Sequence, residues 1–189
     1  MSRSGRVQLM VPEARLESTE HGLVPDGDGW FVVNARDACW TEREGQGVRS
    51  TFEGETEFSQ LGINLRVLEP GQPMAMYHWE ADQEDFLVLS GEALAIVEGE
   101  ERALRAWDFL HCPADTKHTI VGAGDGPCVL VAVGARQRSV GPNWGGYTVD
   151  EAAQRHGAGV DEETSDPDVA YAPFPKREPA SYRDGWLPG

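Results

Sequence analysis

The chain has 189 residues, enough for one domain with a well-filled core and too few for two comfortable ones. Its 32 acidic against 16 basic residues give a net charge of -16, which repels nucleic-acid phosphates and anionic lipid headgroups and excludes both as expected partners. The opening MSRSGRVQLMVPEARLE has two early arginines but no continuous apolar run, and nowhere do about 18 apolar residues follow one another, so a cytoplasmic location is expected.

From Trp30 to Arg136 short β-branched and apolar runs alternate with Gly, Pro and acidic turns, the pattern of a sandwich or barrel. In chain order, strands are predicted over Trp30 to Asn34, Val48 to Phe52, Leu61 to Leu68, Met74 to Glu80, Asp85 to Leu89, Ala93 to Val97 and Glu101 to Leu104. Two or three more follow. Turns are predicted at Pro70-Gly71, at Glu98-Gly99-Glu100 and over Gly122 to Pro127. Beyond Arg136, Thr148 and Glu151 make a capping box for a short helix over VDEAAQRH, stopped by Gly157. The tail from Asp161 on mixes acids and prolines, a composition that suits disorder, but Tyr171, Phe174, Tyr182 and Trp186 predict that it straps over the barrel or a partner subunit. The division expected is an N-terminal extension contributing strands (1–45), a barrel (46–136) and a C-terminal extension (137–189).

Cys39, Cys112 and Cys128 are odd in number and lack CxxC spacing, and read as reduced core thiols. No serine nucleophile elbow, Walker-type GKS/GKT or GxGxxG followed by a helix occurs, so acyl transfer, ATP chemistry and dinucleotide binding have no basis here. The chemistry concentrates elsewhere. In Met74-Ala75-Met76-Tyr77-His78-Trp79-Glu80, His78 and Glu80 are two apart and share a strand face with Met74 and Met76. A short turn then presents Glu84. A distant histidine, His118, follows the Pro-containing turn after Phe109-Leu110-His111-Cys112. Histidines and carboxylates are the usual donors for a divalent first-row metal, and burying them without a cation or proton would be costly. His111 and Cys112 are adjacent, so at most one of them points inward. Met74, Met76, Phe86 and Trp107 are predicted as barrel core, which would also wall the site, and His21 and His156 as surface residues.

These two segments resemble the two signature motifs of the cupin superfamily. Gly71, His78, Glu84 and Gly91 fit the first motif, with Glu80 where a second His is expected; Asp108, Pro113 and His118 fit the second, with Trp107 and Asp115 in place of glycines. The resemblance covers Leu61 to Val133. It implies an all-β, antiparallel jelly-roll barrel holding one divalent transition metal (zinc, iron, manganese or nickel) on His78, Glu84 and His118 directly, and on Glu80 by substitution. Glu80 is either a fourth ligand or an unbound general acid or base.

The function expected is metal-dependent dioxygenation, isomerisation or epimerisation of a small polar metabolite, in a homodimer. A non-catalytic binding or storage protein, with or without metal, is the alternative, because a fold does not choose between them.

Overall fold

The structure, a computed structural model, describes residues 10–138 and 141–189; the first nine residues of the opening segment lie outside this range. Strands β1 (Arg15–Thr19) and β2 (Gly22–Asp26) form a separate hairpin. There follow β3 (Trp40–Glu42), β4 (Val48–Ser50), β5 (Leu61–Leu68), β6 (His78–Glu80), β7 (Glu84–Ser90), β8 (Glu92–Val97), β9 (Glu100–Arg105), β10 (Phe109–Cys112), β11 (His118–Ala123), β12 (Cys128–Ala135) and β13 (Gly145–Tyr147). Helices α1 (Glu151–Arg155) and α2 (Pro167–Ala170) precede β14 (Glu178–Ala180). No helix among the described residues is long and apolar enough to cross a membrane.

Two antiparallel sheets make the barrel: one ordered β10-β7-β12-β5-β4-β3-β14, the other β13-β6-β11-β8-β9. Side chains alternate between faces along each strand, so each sheet sends one set inward. Leu68, Phe86, Val88, Ile120 and Leu130 meet between the sheets and are nearly inaccessible. The architecture is the expected all-β, antiparallel jelly roll.

Turn chemistry closes the hairpins. Val97 pairs with Glu100, leaving the two-residue loop Glu98-Gly99, both at positive φ (50° and 77°), as a type I′ turn requires. Gln72 donates its N–H to the Glu69 carbonyl across Pro70-Gly71, with Gly71 at φ 84°, the type II arrangement. Trp107 and Asp115, which stand where the resemblance expects glycines, are both left-handed, at φ 75° and 68°. The backbone geometry of those turns is kept although the glycines are not.

The C-terminal extension is built into the barrel. α1 lays Ala152 and Ala153 on Tyr77, Ile96 and Val121, covering the outer face of the smaller sheet. On the outer face of the larger sheet, Trp40, Leu65, Val67 and Val129 are covered by Tyr182 and Trp186 from the tail. The Trp40 and Trp186 rings lie 5.3 Å apart.

Four expectations need correction. Trp30 to Asn34 is not a strand: only Trp30 makes a bridge, to Glu13, because Asn34 gathers the N–H groups of Arg36, Asp37 and Ala38 into a turn. Met74 to Glu80 is a strand only from His78, since the tail takes over the backbone donors before it: Tyr77 N–H bonds the Ala158 carbonyl and Met76 N–H the Tyr171 hydroxyl. The cap of α1 is Asp150, whose Oδ1 accepts from the Ala153 N–H at 2.9 Å, while Thr148 is buried and its hydroxyl unpaired. Trp107 is 74% exposed and so is not part of the barrel core, unlike Met74, Met76 and Phe86.

Two stability predictions follow. Trp186→Ala should lower unfolding free energy by about 1–3 kcal/mol by uncovering Trp40, whereas Val169→Ala, at a 59%-exposed position, should stay within about 0.5 kcal/mol; urea titrations compare the two. Trp107→Gly should raise stability by about 0.5–1 kcal/mol, because the left-handed penalty of a side chain, about 1–2 kcal/mol, exceeds the entropic cost of a glycine.

Candidate metal centre

The register of the smaller sheet sets His78 directly opposite His118 on β6 and β11. The short turn over Ala81, Asp82 and Gln83 carries the chain into the other sheet, where Glu84 opens β7. Glu84 faces Gly134 on one side and Cys112 on the other. Each sheet therefore contributes part of the site, and barrel closure assembles it.

His78, Glu84 and His118 place one donor atom each within 4.8 Å of one another. Glu84 Oε2 is 3.0 Å from His118 Nε2 and 3.5 Å from His78 Nε2. The imidazoles are held from behind: His78 Nδ1 lies 2.8 Å from the Met76 carbonyl and His118 Nδ1 2.9 Å from the Thr116 carbonyl. A carbonyl only accepts, so each Nδ1 carries a proton and each neutral ring turns an Nε2 lone pair toward Glu84. Phe86 packs against the His118 ring at 5.3 Å and Tyr147 against that of His78 at 5.9 Å.

That geometry tests whether a cation fits. Glu84 Oε2 and His118 Nε2 are buried, and despite their proximity neither has a hydrogen-bond partner. Two acceptors facing each other in a dry site need a proton or a metal ion between them. Two imidazole nitrogens and one carboxylate oxygen suit a divalent first-row metal, and the backbone carbonyls behind the rings supply the orienting contacts such sites use. In the metal-free chain, protons take that place. Burial disfavours the charged form of both imidazoles, but Glu80 and Glu84 outweigh it at His78, and Cys112 with Glu84 at His118, so both pKa values rise above neutrality. Burial likewise opposes ionisation of Glu84, yet the two imidazoles hold its pKa well below the carboxylate range.

Glu80 is brought near but stands apart from this group. Its Oε1 is 3.7 Å from His78 Nε2, and its side chain is more exposed than those of His78, Glu84 and His118. A cavity of about 270 Å³ opens over the site, lined among others by Glu80, Glu84, Asn64, Arg136 and Trp144. Arg136 is clamped by Glu53 at 2.6 Å and by the Phe58 carbonyl at 2.8 Å. The Cys112 thiol sits against His118 but outside the three-donor group, and His111 turns the other way to meet Asp85 at 2.6 Å. Asn64, Arg136 and Trp144 were not among the residues singled out from the sequence. Asn64 could have been found, since alternation puts it on the same face of β5 as the core residue Leu68.

A family model described as the cupin domain matches residues 64–134, a span that contains all four proposed ligand residues. Residues 64–134 of the barrel are a cupin domain. Among solved structures the chain is similar to a candidate sugar phosphate isomerase from Acidithiobacillus ferrooxidans (26% identity, TM-score 0.45, covering 50% of this chain and 62% of that one). It is also similar to an uncharacterized conserved protein with a double-stranded β-helix domain from Klebsiella pneumoniae (26%, TM-score 0.43, 48% and 77%). A third is a sugar phosphate isomerase of the cupin superfamily from Silicibacter pomeroyi (28%, TM-score 0.42, 55% and 63%). The chain thus spans less than two thirds of the length of either isomerase. No curated protein matches it.

Metal uptake by the cupin domain should expel protons. Raised imidazole pKa values mean that the protonated cluster stabilises the metal-free fold below the ordinary imidazole value, about 6.5, and that this contribution fades as pH climbs through the raised values. Metal affinity should accordingly increase with pH across neutrality, with about one to two protons released per ion at pH 7. Calorimetric titration in buffers of different ionisation enthalpy reads that number, and zero protons would contradict the arrangement. In elemental analysis His118→Ala should lose the ion while His111→Ala keeps it.

Proposed function

We propose that the protein is a metal-dependent isomerase or epimerase acting on a small polar metabolite that approaches the ion through a carbonyl, enol or hydroxyl oxygen. The observation that carries this reading is the division between the two neighbouring glutamates. Glu84 belongs to the three-donor group, whereas Glu80 lies outside it on the wall of the same cavity. A divalent ion held by His78, Glu84 and His118 would polarise a substrate oxygen and so acidify the adjacent C–H bond. Glu80 is then the group to remove that proton and return it, on the same or the neighbouring carbon. Trp144 and the clamped Arg136 confine the substrate beside it. Of the three donors only Glu84 lines the cavity, so a substrate entering there would reach the ion past Glu84 and Glu80.

A second reading, dioxygenation, is favoured by one specific feature: two histidines and one carboxylate are the donor set of non-haem iron oxygenases. We further propose a cytoplasmic location, in keeping with three free cysteines.

The test uses the metal-loaded protein with a panel of small hydroxy-carbonyl and hydroxy-acid metabolites in heavy water, read by NMR for deuterium at carbon. Glu80→Gln should keep one equivalent of metal and slow exchange by about 10²–10⁴-fold. Loss of the ion from that variant would make Glu80 a ligand and remove it as the base. Oxygen consumption without exchange would establish the dioxygenase reading, and tight binding without product would replace catalysis by storage.

A further inference from the structure

The inner face of the larger sheet carries a row of arginines that the metal centre does not use. Arg49 pairs with Arg66 across β4 and β5, and with Thr41 across β3 and β4. Both lie on the face opposite Trp40, Leu65 and Val67, which pack outward under the tail. The same alternation continues past the strand ends to Arg43 after β3 and Arg177 before β14, where Glu178 pairs with Glu42. Four guanidinium groups from four segments thus come within electrostatic range of one another, Arg66 buried and the other three half-buried.

None of the four is in an ion pair with a carboxylate among the described residues. Arg66 is only 9% exposed and gives one hydrogen bond, from Nη1 to the Met74 carbonyl at 2.9 Å. Arg43 reaches Gln46 at 3.2 Å and lies over the Tyr171 ring at 4.6 Å. Buried nitrogens on all four have no partner: Nε of Arg43, Arg49 and Arg66, and Nη1 of Arg177. The charged groups that bear on the row are Glu53 at Arg49 and Glu84 at Arg66, with the Tyr171 phenol; the other influences are the arginines on one another. Burial first, and then this mutual repulsion, lowers the pKa of Arg66 and Arg177. Uncompensated buried cations are among the costliest arrangements a fold can hold, and an anion among them removes the cost.

The row adjoins the metal centre. Asn64, which lines the cavity with Glu80 and Glu84, is two residues from Arg66 on the same face of β5, and Tyr171 meets Tyr147 edge-on, itself against His78. We propose that Arg43, Arg49, Arg66 and Arg177 form a binding site for a small oxyanion of at least two negative charges, a phosphate ester or a polycarboxylate. Guanidinium forks match both groups in bidentate fashion. The acidic composition of the chain disfavours nucleic acid and other macromolecular polyanions as the occupant. Resting on the function proposed above, the same site anchors the anionic end of the substrate while its oxygen-bearing end meets the metal centre.

The experiment takes full-length protein desalted into buffer free of oxyanions and follows thermal unfolding and calorimetric binding with inorganic phosphate and with citrate, against sodium chloride of equal ionic strength. At least one of the two should raise Tm beyond the chloride control and bind with Kd below about 1 mM. Arg49→Gln and Arg177→Gln should each weaken that binding about tenfold or more, yet in the absence of anion unfold no lower than wild type, since each removes an unpaired buried charge. Preference for phosphate assigns a phosphate ester, and preference for citrate a polycarboxylate. No shift beyond chloride with either, or unchanged binding in both variants, would overturn the site. Repeating the titration on His118→Ala separates the two readings: anion binding that persists there while metal is lost leaves this site standing on its own, and a wild-type protein that takes metal but no anion refutes this site alone.

Discussion

Glu84 Oε2 facing His118 Nε2 at 3.0 Å is the constraint around which the centre of the barrel is arranged. Two backbone carbonyls fix the imidazole protons on the far side of each ring, so the near side offers lone pairs to a carboxylate that also offers lone pairs. Only positive charge makes this stable. The surroundings pack against the groups in that opposition: Phe86 against the His118 ring and Tyr147 against that of His78. A carboxylate at this position is thereby set apart from Glu80, whose side chain is more exposed.

The C-terminal extension is as much a part of this arrangement as the strands. It covers the outer face of the larger sheet with Tyr182 and Trp186, supplies the Tyr171 hydroxyl and the Ala158 carbonyl to the segment leading into His78, and adds β14 beside β3. The segment from Met74 to Tyr77 is irregular because tail groups take its backbone donors, and Tyr171 there meets Tyr147 edge-on, with Tyr147 in turn against His78.

How much of this was legible depends on whether the signal was local. The cluster of His78, Glu84 and His118 was readable because same-face spacing, a turn and a Pro-bounded histidine are features of short segments, and the turns at Trp107 and Asp115 were readable as positions where glycine is replaced. The predicted Trp30 to Asn34 strand misled because a β-branched run was weighed without the Asn34 turn that ends it. The capping box over Thr148 likewise gave way to Asp150, which has the same chemistry two residues later. Pro167 at the first turn of α2 with Asp166 before it was a start signal left unused. The arginine row was beyond reach: Arg43, Arg49, Arg66 and Arg177 are scattered over 135 positions of sequence, and only strand register unites them.

The protein's charge is therefore divided by sign as well as by amount. An exterior dominated by carboxylates encloses a barrel in which positive charge recurs twice, as imidazoles around Glu84 and as guanidinium groups along β3, β4, β5 and β14. Chance would not spend four arginines where each raises the cost of the others, when leucine or methionine would pack the same face at lower free energy. An anion offsets that cost only if it is small enough to enter and charged enough to answer several guanidinium groups at once. A substrate held in this way would have its position fixed by the charged end. The reacting end would then need only modest interactions to meet Glu80 in the right geometry, so that binding energy gained away from the chemistry serves the chemistry itself.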